Sequence, residues 1–187
     1  MPRLTRRRAP DRLAAMAGRL ILVDDRDREI GTCTRRQGHE GRGRRHRAYL
    51  VLILDPDGRL LLARRHPSKW LWPGCWDGTV AGHVEPGETY ASAARRRVRE
   101  ELGVRPRLRR LDAFAYTARY RKDSENEICA VFAGRASRVR PDPREIDAWA
   151  FVRSPRGRLT PWLRIALRRG ALETARTGRP KRRAAPR

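Results

Sequence analysis

Histidines and a pair of glutamates are the side chains of this sequence that could hold a metal ion. His39 and His46 stand in the run HEGRGRRH, and His83 follows a glycine in GHVEPGE. Glu125 and Glu127 lie at i and i+2, which puts both carboxylates on one face of a strand. Three imidazoles and two carboxylates could form a six-coordinate set for manganese or magnesium, with one position open. The spacings match no compact ligand motif, so the residue pattern alone favours separate surface or loop histidines.

A helix is predicted over ETYASAARRRVREELG, with Gly103 as its stop. Apolar residues recur at i and i+4 and predict a buried stripe of Ala94, Val98 and Leu102. Glu101 falls about 60° from this stripe and can point along the inner surface of the domain, whereas Glu100 falls about 160° away and is expected to face water. Arg97 stands one turn before Glu101, close enough for an ion pair.

Short strands and helices alternate between about residues 19 and 175. RLILVDD and EIGTCTR predict one hairpin, and HRAYLVLILDPDGRLLLARR predicts a second whose turn is Asp57-Gly58. WDGTVAG predicts a strand that leads into the helix, and later strands are predicted at LRRLDAFAY, NEICAVFAGRA and AWAFV. TPWLRIALRRGALETA predicts one closing helix, opened by Thr160 and Pro161. The mixture indicates an α+β class domain in which helices cover a mixed sheet.

Residues 82–104 resemble the Nudix box, a motif of proteins that handle diphosphates. The chain matches every signature position of the box but one, through Gly82, Glu88, Arg96, Val98, Glu100, Glu101, Gly103 and Val104. The resemblance implies the Nudix fold, an α/β/α sandwich with a mixed sheet. Nudix hydrolases use the glutamates of the helix to hold magnesium against a diphosphate. Arg97 replaces the first of these glutamates, and a guanidinium cannot ligate a metal.

The span from about Leu22 to Ala171 resembles type 1 isopentenyl-diphosphate delta-isomerase, a Nudix-fold family that does not hydrolyse its substrate. The shared features are two histidines seven apart ahead of a strand, Gly-His opening the box, Glu-x-Glu on a later strand and a basic residue at position 97. The resemblance implies that a catalytic metal is held by His39, His46, His83, Glu125 and Glu127. It also implies a magnesium ion at Glu101 that bridges the bound diphosphate, and a diphosphate grip formed by Arg35, Arg65 and Lys69.

The family's reaction adds a proton at one end of an alkene and removes another two carbons away, through a tertiary carbocation. The resemblance assigns proton handling to Glu127 with Tyr116, and stabilisation of the cation to the indole of Trp162. On the opposite face of the substrate, Ala81 stands where the family normally has a cysteine. Alanine cannot exchange a proton, and the nearest thiol in sequence is Cys75.

Three functions are compatible with this pattern. The first is an isomerase that uses water or another side chain as its second proton carrier. The second is a hydrolase in which magnesium is held by Glu88, Glu100 and Glu101. The third is a catalytically silent binder of prenyl diphosphates. The expected cofactors are Mg²⁺ and Mn²⁺, and the expected partner is a small-molecule diphosphate, bound by a monomer or weak oligomer.

Composition gives a formal net charge of +24, and only three of the 45 basic residues are lysines. Much of this charge lies in the segments 1–18 and 176–187, which are predicted to be basic disordered tails around a domain at 19–175. No nucleic-acid-binding motif is present, so no specific nucleic acid is expected. The sequence has no apolar run of membrane-spanning length. Three widely spaced cysteines, without a C-x-x-C pair, favour a reducing cytoplasm.

Overall fold

The computed structural model of the protein describes residues 18–179. Within this range the strands are β1 (Arg19–Val23), β2 (Glu29–Thr34), β3 (His46–Leu54), β4 (Leu60–Arg65), β5 (Trp76–Asp77), β6 (Val80–His83), β7 (Arg109–Tyr120), β8 (Asp123–Arg135) and β9 (Ile146–Val152). The helices are α1 (Arg35–His39), α2 (Tyr90–Leu102), α3 (Pro161–Arg168) and α4 (Ala171–Thr177).

Strand β3 lies at the centre of a mixed sheet. It pairs in parallel with β8 along its whole length and antiparallel with β6, and β8 pairs in turn with β7. The predicted second hairpin joins β3 to β4, but the two strands pair only at Leu54 and Leu60. Strand β4 then diverges to pair with β5 and β9. Thr79 bridges the divergence, since its hydroxyl donates to the Leu61 carbonyl and accepts from the Ile53 amide.

Two apolar cores lie on opposite faces of β3, because side chains alternate along a strand. One face packs against α3 and α4 through Leu50, Leu52 and Leu54. The other face packs against α2 through Tyr49, Val51 and Ile53. Helices therefore cover both faces of a mixed sheet, and the predicted α+β class, an α/β/α sandwich of Nudix fold, is confirmed.

Helix α2 has the faces that the sequence predicts. Thr89 caps its first turn by accepting a hydrogen bond from the Ser92 amide, and Gly103 ends it at φ 68°. The predicted stripe is buried, and it consists of Ala94, Val98 and Leu102. Glu101 is 6% exposed, whereas Glu100 faces solvent. One carboxylate of the helix, that of Glu101, therefore points into the domain.

Two predicted elements are wrong in detail. The closing segment forms two helices, α3 and α4, because Gly170 adopts a left-handed conformation at φ 80° between them. The segment WDGTVAG forms two strands, since β5 pairs with β4 whereas β6 pairs with β3. Both differences arise from partners that are distant in sequence.

Helix α1 is an element that the sequence pattern did not predict. Thr34 caps it reciprocally with Gln37, a capping box that overlaps the end of β2. Gly38 is required there, because a Cβ at this position would stand 2.3 Å from Cδ1 of Leu20. This close packing fixes the end of the helix, which carries His39.

The predicted basic tails lie almost wholly outside the described residues. Helix α4 takes up Arg176 and Thr177, which the sequence had placed in the second tail. Among residues 18–179, no helix is both long and apolar enough to cross a membrane.

Candidate metal centre and active-site cavity

Five side chains from four elements converge at one end of the sheet. Helix α1 contributes His39, β3 begins with His46 and β6 ends with His83. Strand β8 contributes Glu125 and Glu127 from one face, and Glu127 lies beside His46 in the parallel register. A potential ligand atom of each residue lies within 4.8 Å of one on every other. The structure thus brings together the five residues that the resemblance assigns to the metal.

The nitrogen and oxygen atoms of this cluster are close enough to share one cation. Nε2 of His39 lies 2.9 Å from Oε2 of Glu125. Oε1 of Glu127 lies 3.4 Å from Nε2 of His46 and 3.1 Å from Nε2 of His83. The three imidazole centroids are 4.9 to 5.0 Å apart. All five side chains are buried or nearly so.

Backbone carbonyls set the tautomer of two of the imidazoles. Nδ1 of His39 lies 2.6 Å from the Arg35 carbonyl, and Nδ1 of His46 lies 2.7 Å from the Arg44 carbonyl. Because a carbonyl only accepts, each Nδ1 carries the proton and each Nε2 presents a lone pair to the cluster. Among the described residues, these two Nε2 atoms and Oε2 of Glu125 are buried without a hydrogen-bond partner. Converging lone pairs that lack a donor fit a divalent metal ion.

The surroundings favour the ligating protonation states of Glu127 and His83, whereas in the absence of a metal the Glu125 carboxylate overcomes the effect of burial and raises the pKa of His39. Burial opposes ionisation of Glu127, but the neighbouring His46 imidazole and the hydrogen bond from the Tyr116 hydroxyl hold its pKa below the ordinary value. Burial, assisted by the nearby charge of Arg35, lowers the pKa of His83 well below the ordinary value. A carboxylate that stays ionised and an imidazole that stays neutral are suitable ligands for a cation near neutral pH.

The cluster forms one end of a cavity of about 280 Å³. Its walls combine aromatic and apolar side chains with basic ones, and they include Arg35, Tyr49, Arg65, Lys69, Trp70, Leu71, Ala81, Tyr116, Cys129 and Trp162. All three predicted diphosphate-binding residues and both predicted aromatic residues therefore line the same space as four of the five donors, His39, His83, Glu125 and Glu127. The Tyr116 hydroxyl donates to Oε2 of Glu127 over 2.6 Å. Burial, together with the charge of Glu127, raises the pKa of Tyr116 well above its usual range.

The basic residues of the cavity differ in how far their donor groups are already engaged by other residues of the protein. Arg65 donates to the carbonyls of Leu71 and Trp72 at 3.0 and 3.2 Å, so part of its guanidinium is already engaged. Lys69 contacts Glu145, and burial lowers the pKa of its ammonium to about 8. Arg35 is exposed at the edge of the cavity.

Glu101 lies apart from the five-donor cluster, in an adjoining cavity that shares Arg65, Lys69 and Ala81 with the first. Its Oε1 lies 2.6 Å from the guanidinium of Arg97, the pair that the helical spacing predicts. Burial raises the pKa of Glu101 against the opposing charges of Arg97 and Lys69. Arg97 also contacts Glu145 at 3.2 Å. The guanidinium of Arg97 therefore adds a positive charge to this part of the site and cannot serve as a metal ligand.

Asp77 is a structural residue of the site that sequence reasoning missed. It is buried at the end of β5, where Oδ1 accepts from Nε1 of Trp162 at 2.7 Å and from the Thr160 hydroxyl at 3.0 Å. Its other oxygen lies 3.4 Å from Arg65. Asp77 thus orients both the indole and a basic residue of the cavity. The sequence signal that could have identified Asp77 is its position directly before Gly78, at the break between β5 and β6.

Position 81 faces the cavity from β6, two residues before His83. Cys75, the nearest thiol in sequence, is 1% exposed within the core and does not line the cavity. Cys129 is the cysteine that does line it, on β8 two residues beyond Glu127. The alternation of a strand puts Cys129 and Glu127 on the same face.

Comparison with known proteins agrees with this geometry. The sequence profile of the NUDIX domain matches residues 44–165. The isopentenyl-diphosphate Delta-isomerase of Haloarcula marismortui is 40% identical over 167 residues, covering 80% of this chain and 89% of the relative. The chain belongs to the Nudix-fold isopentenyl-diphosphate Delta-isomerase family.

A second member of this isomerase family, from Burkholderia multivorans, is 41% identical over 142 residues and covers 75% of this chain and 80% of its own length. Among solved structures, the DR0079 protein of Deinococcus radiodurans is similar, with a TM-score of 0.59 and 28% identity over 82% of this chain and 89% of that one.

The five-donor cluster predicts that His83→Asn weakens the binding of Mn²⁺ by at least about tenfold, because one imidazole ligand is lost. His83 is suited to this test since it lies at the edge of the cluster, with 13% of its side chain exposed. Isothermal titration calorimetry of both proteins measures the change. His66→Asn is the matched control, because His66 lies outside the cluster. Equal Mn²⁺ affinity of the His83 variant and the wild type would contradict the assignment.

Proposed function

We propose that this protein is an isopentenyl-diphosphate delta-isomerase, which converts isopentenyl diphosphate to dimethylallyl diphosphate by a metal-dependent 1,3-allylic proton shift. The observation that carries the proposal is the buried set of three imidazoles and two carboxylates at one end of an aromatic cavity. A proton shift through a carbocation needs a proton carrier, an aromatic wall and exclusion of water in one place. The cavity offers the first two, in Glu127 with Tyr116 and in an aromatic wall that includes Trp162.

Glu127 and Tyr116 are the proposed proton-handling pair. Their 2.6 Å hydrogen bond lets the phenol and the carboxylate share a proton beside the substrate alkene. Trp162 is the proposed cation-facing residue, since its ring contacts those of Trp72 and Tyr116 and its Nε1 is held by Asp77. A divalent ion bound by the five donors would supply the positive charge that stabilises Glu127 as a carboxylate and adjusts its acidity.

The diphosphate would lie at the basic side of the cavity. Arg35, Arg65 and Lys69 are the proposed grip, since guanidinium and ammonium groups bind phosphate oxygens through charge-assisted hydrogen bonds. Arg97 joins this set, because it lies beside Glu101, the proposed ligand of a bridging magnesium ion. Mn²⁺ suits the imidazole-rich cluster and Mg²⁺ suits the carboxylate with phosphate oxygens.

Hydrolysis is the alternative reaction of the Nudix fold, and the carboxylates that it needs are engaged elsewhere. Both oxygens of Glu88 accept from Arg96, at 2.7 and 2.9 Å. Glu100 accepts from Arg97 at 3.0 Å, and Glu101 pairs with the same guanidinium. Arg97, the one departure from the box, thus stands where a hydrolase has a helical glutamate and pairs with the two glutamates that remain. This pairing favours the isomerase over the hydrolase.

An assay with isopentenyl diphosphate and Mg²⁺ or Mn²⁺ in heavy water, followed by proton and phosphorus NMR, distinguishes the possible functions. We expect dimethylallyl diphosphate with incorporated deuterium from the wild type. Glu125→Gln should lose this activity, because it removes a negative ligand of the cluster while conserving shape. Glu100→Gln is the matched control and should keep it.

Release of inorganic phosphate that survives Glu125→Gln would identify a hydrolase instead. An unchanged spectrum from the wild type would identify a silent binder, and either result would contradict the proposed isomerase.

The alanine at position 81 leads to a second prediction, which concerns the rate of isomerisation. The wild type must use water or another side chain as its second proton carrier, and loss of one positioned acid or base costs about 10² to 10⁴-fold. We expect Ala81→Cys to raise kcat for isomerisation, because it puts a thiol on the cavity wall opposite Glu127.

Ala81→Ser is the control, since a hydroxyl of similar size is a much weaker acid than a thiol. Equal rates for wild type and Ala81→Cys, or equal gains for both variants, would show that the missing thiol does not limit turnover.

A further inference from the structure

Tyr49 carries a buried hydroxyl that the fold itself does not use. The residue is 1% exposed in the middle of β3, and within residues 18–179 its phenol oxygen has no hydrogen-bond partner. Burying a hydroxyl without a partner is unfavourable, because its hydrogen bonds to water are lost. A phenylalanine would fill the same apolar space without this cost. The hydroxyl therefore indicates a partner outside residues 18–179, and a bound ligand is one that the cavity could admit.

The phenol oxygen packs against Gly82, a residue of the cavity wall. A Cβ at Gly82 would stand 2.7 Å from the Tyr49 oxygen, so only glycine leaves room for the hydroxyl. Tyr49 and Gly82 both line the cavity that holds the five-donor cluster. The hydroxyl thus lies at the boundary between the apolar core under α2 and the space proposed for the substrate.

The charged neighbours of this hydroxyl indicate the chemistry of its partner. Tyr49 interacts electrostatically with Arg35 on one side and with Arg97 and Glu101 on α2. Arg35 and Arg97 are two of the guanidinium groups proposed to hold the diphosphate. An anionic oxygen that reaches Arg35 and Arg97 would accept a hydrogen bond from this hydroxyl.

We infer that Tyr49 is a substrate-binding residue, whose hydroxyl donates a hydrogen bond to the diphosphate group between Arg35 and Arg97. This inference rests on the proposed function, because it takes the diphosphate to lie at the basic side of the cavity. It adds a neutral donor to a set of cations. A neutral donor also orients the anion, because a hydrogen bond depends strongly on the angle between donor and acceptor. An ion pair with a flexible side chain depends on that angle less.

Tyr49→Phe tests the inference with inorganic pyrophosphate and Mg²⁺ as the probe. Isothermal titration calorimetry of the full chain should show pyrophosphate binding weakened by about 10 to 100-fold, the effect of losing a hydrogen bond to a charged group. The thermal midpoint of the ligand-free variant should be equal to or higher than that of the wild type, because an unpaired buried hydroxyl has been removed. Tyr120→Phe is the matched control, since Tyr120 lies on β7 and lines neither cavity.

The possible outcomes test the role of Tyr49 separately from the proposed diphosphate site. Equal pyrophosphate affinity for wild type and Tyr49→Phe would overturn the role of Tyr49 while leaving the diphosphate site in place. A lower thermal midpoint for Tyr49→Phe would also overturn it, because the hydroxyl would then serve the fold. Absence of pyrophosphate binding by the wild type would overturn the proposed diphosphate site, and the inference with it.

Discussion

Two carboxylates, Glu125 and Glu127, are buried on the same face of β8 within a few ångströms of each other, and their charge must be balanced. Desolvation of an unpaired carboxylate is among the most costly events in a folded protein. Three imidazoles surround the pair, yet two of them direct lone pairs inward because backbone carbonyls hold their other nitrogens as donors. A divalent cation satisfies every one of these groups. The placement of α1, β3, β6 and β8 follows from this requirement.

The Nudix box has a changed use in this protein. In a hydrolase its helical glutamates face a diphosphate as a metal-binding group. In this chain Arg97 replaces the first of these glutamates and pairs with the other two, Glu100 and Glu101, of which Glu101 is directed into the domain. Under the proposed function, most of the negative charge that holds the metal lies on β8, and Arg97 adds positive charge near the diphosphate.

Local signals predicted the parts of the fold that local interactions decide. The turn at Asp57-Gly58, the stripe of α2 and its end at Gly103 follow from turn chemistry and helical periodicity, and all are present. The break at Gly170 and the division of WDGTVAG into two strands depend on distant partners, so periodicity could not find them. Helix α1 carried a local signal, the capping box of Thr34 and Gln37, that was overlooked because β2 runs directly into it.

The candidate site, like the fold, depends on contacts between residues that are distant in sequence, which local signals do not reveal. Spacing alone favoured separate histidines, and only resemblance to a family grouped the five donors, because their proximity depends on the pairing of three strands. Asp77 and Tyr49 were missed since their importance lies in what their side chains contact across the fold: an indole, a guanidinium and a glycine. A buried acid and a buried phenol look ordinary in the sequence.

Convergence of three imidazoles on one cation is the claim most directly open to measurement. Electron spin echo envelope modulation of the protein loaded with one equivalent of Mn²⁺ detects nitrogen nuclei bound to the ion. We expect modulation from directly coordinated histidine nitrogen, reduced in His83→Asn and unchanged in His66→Asn. A spectrum with no nitrogen coupling, as given by manganese held only by water and carboxylates, would contradict the metal centre and the isomerase built around it.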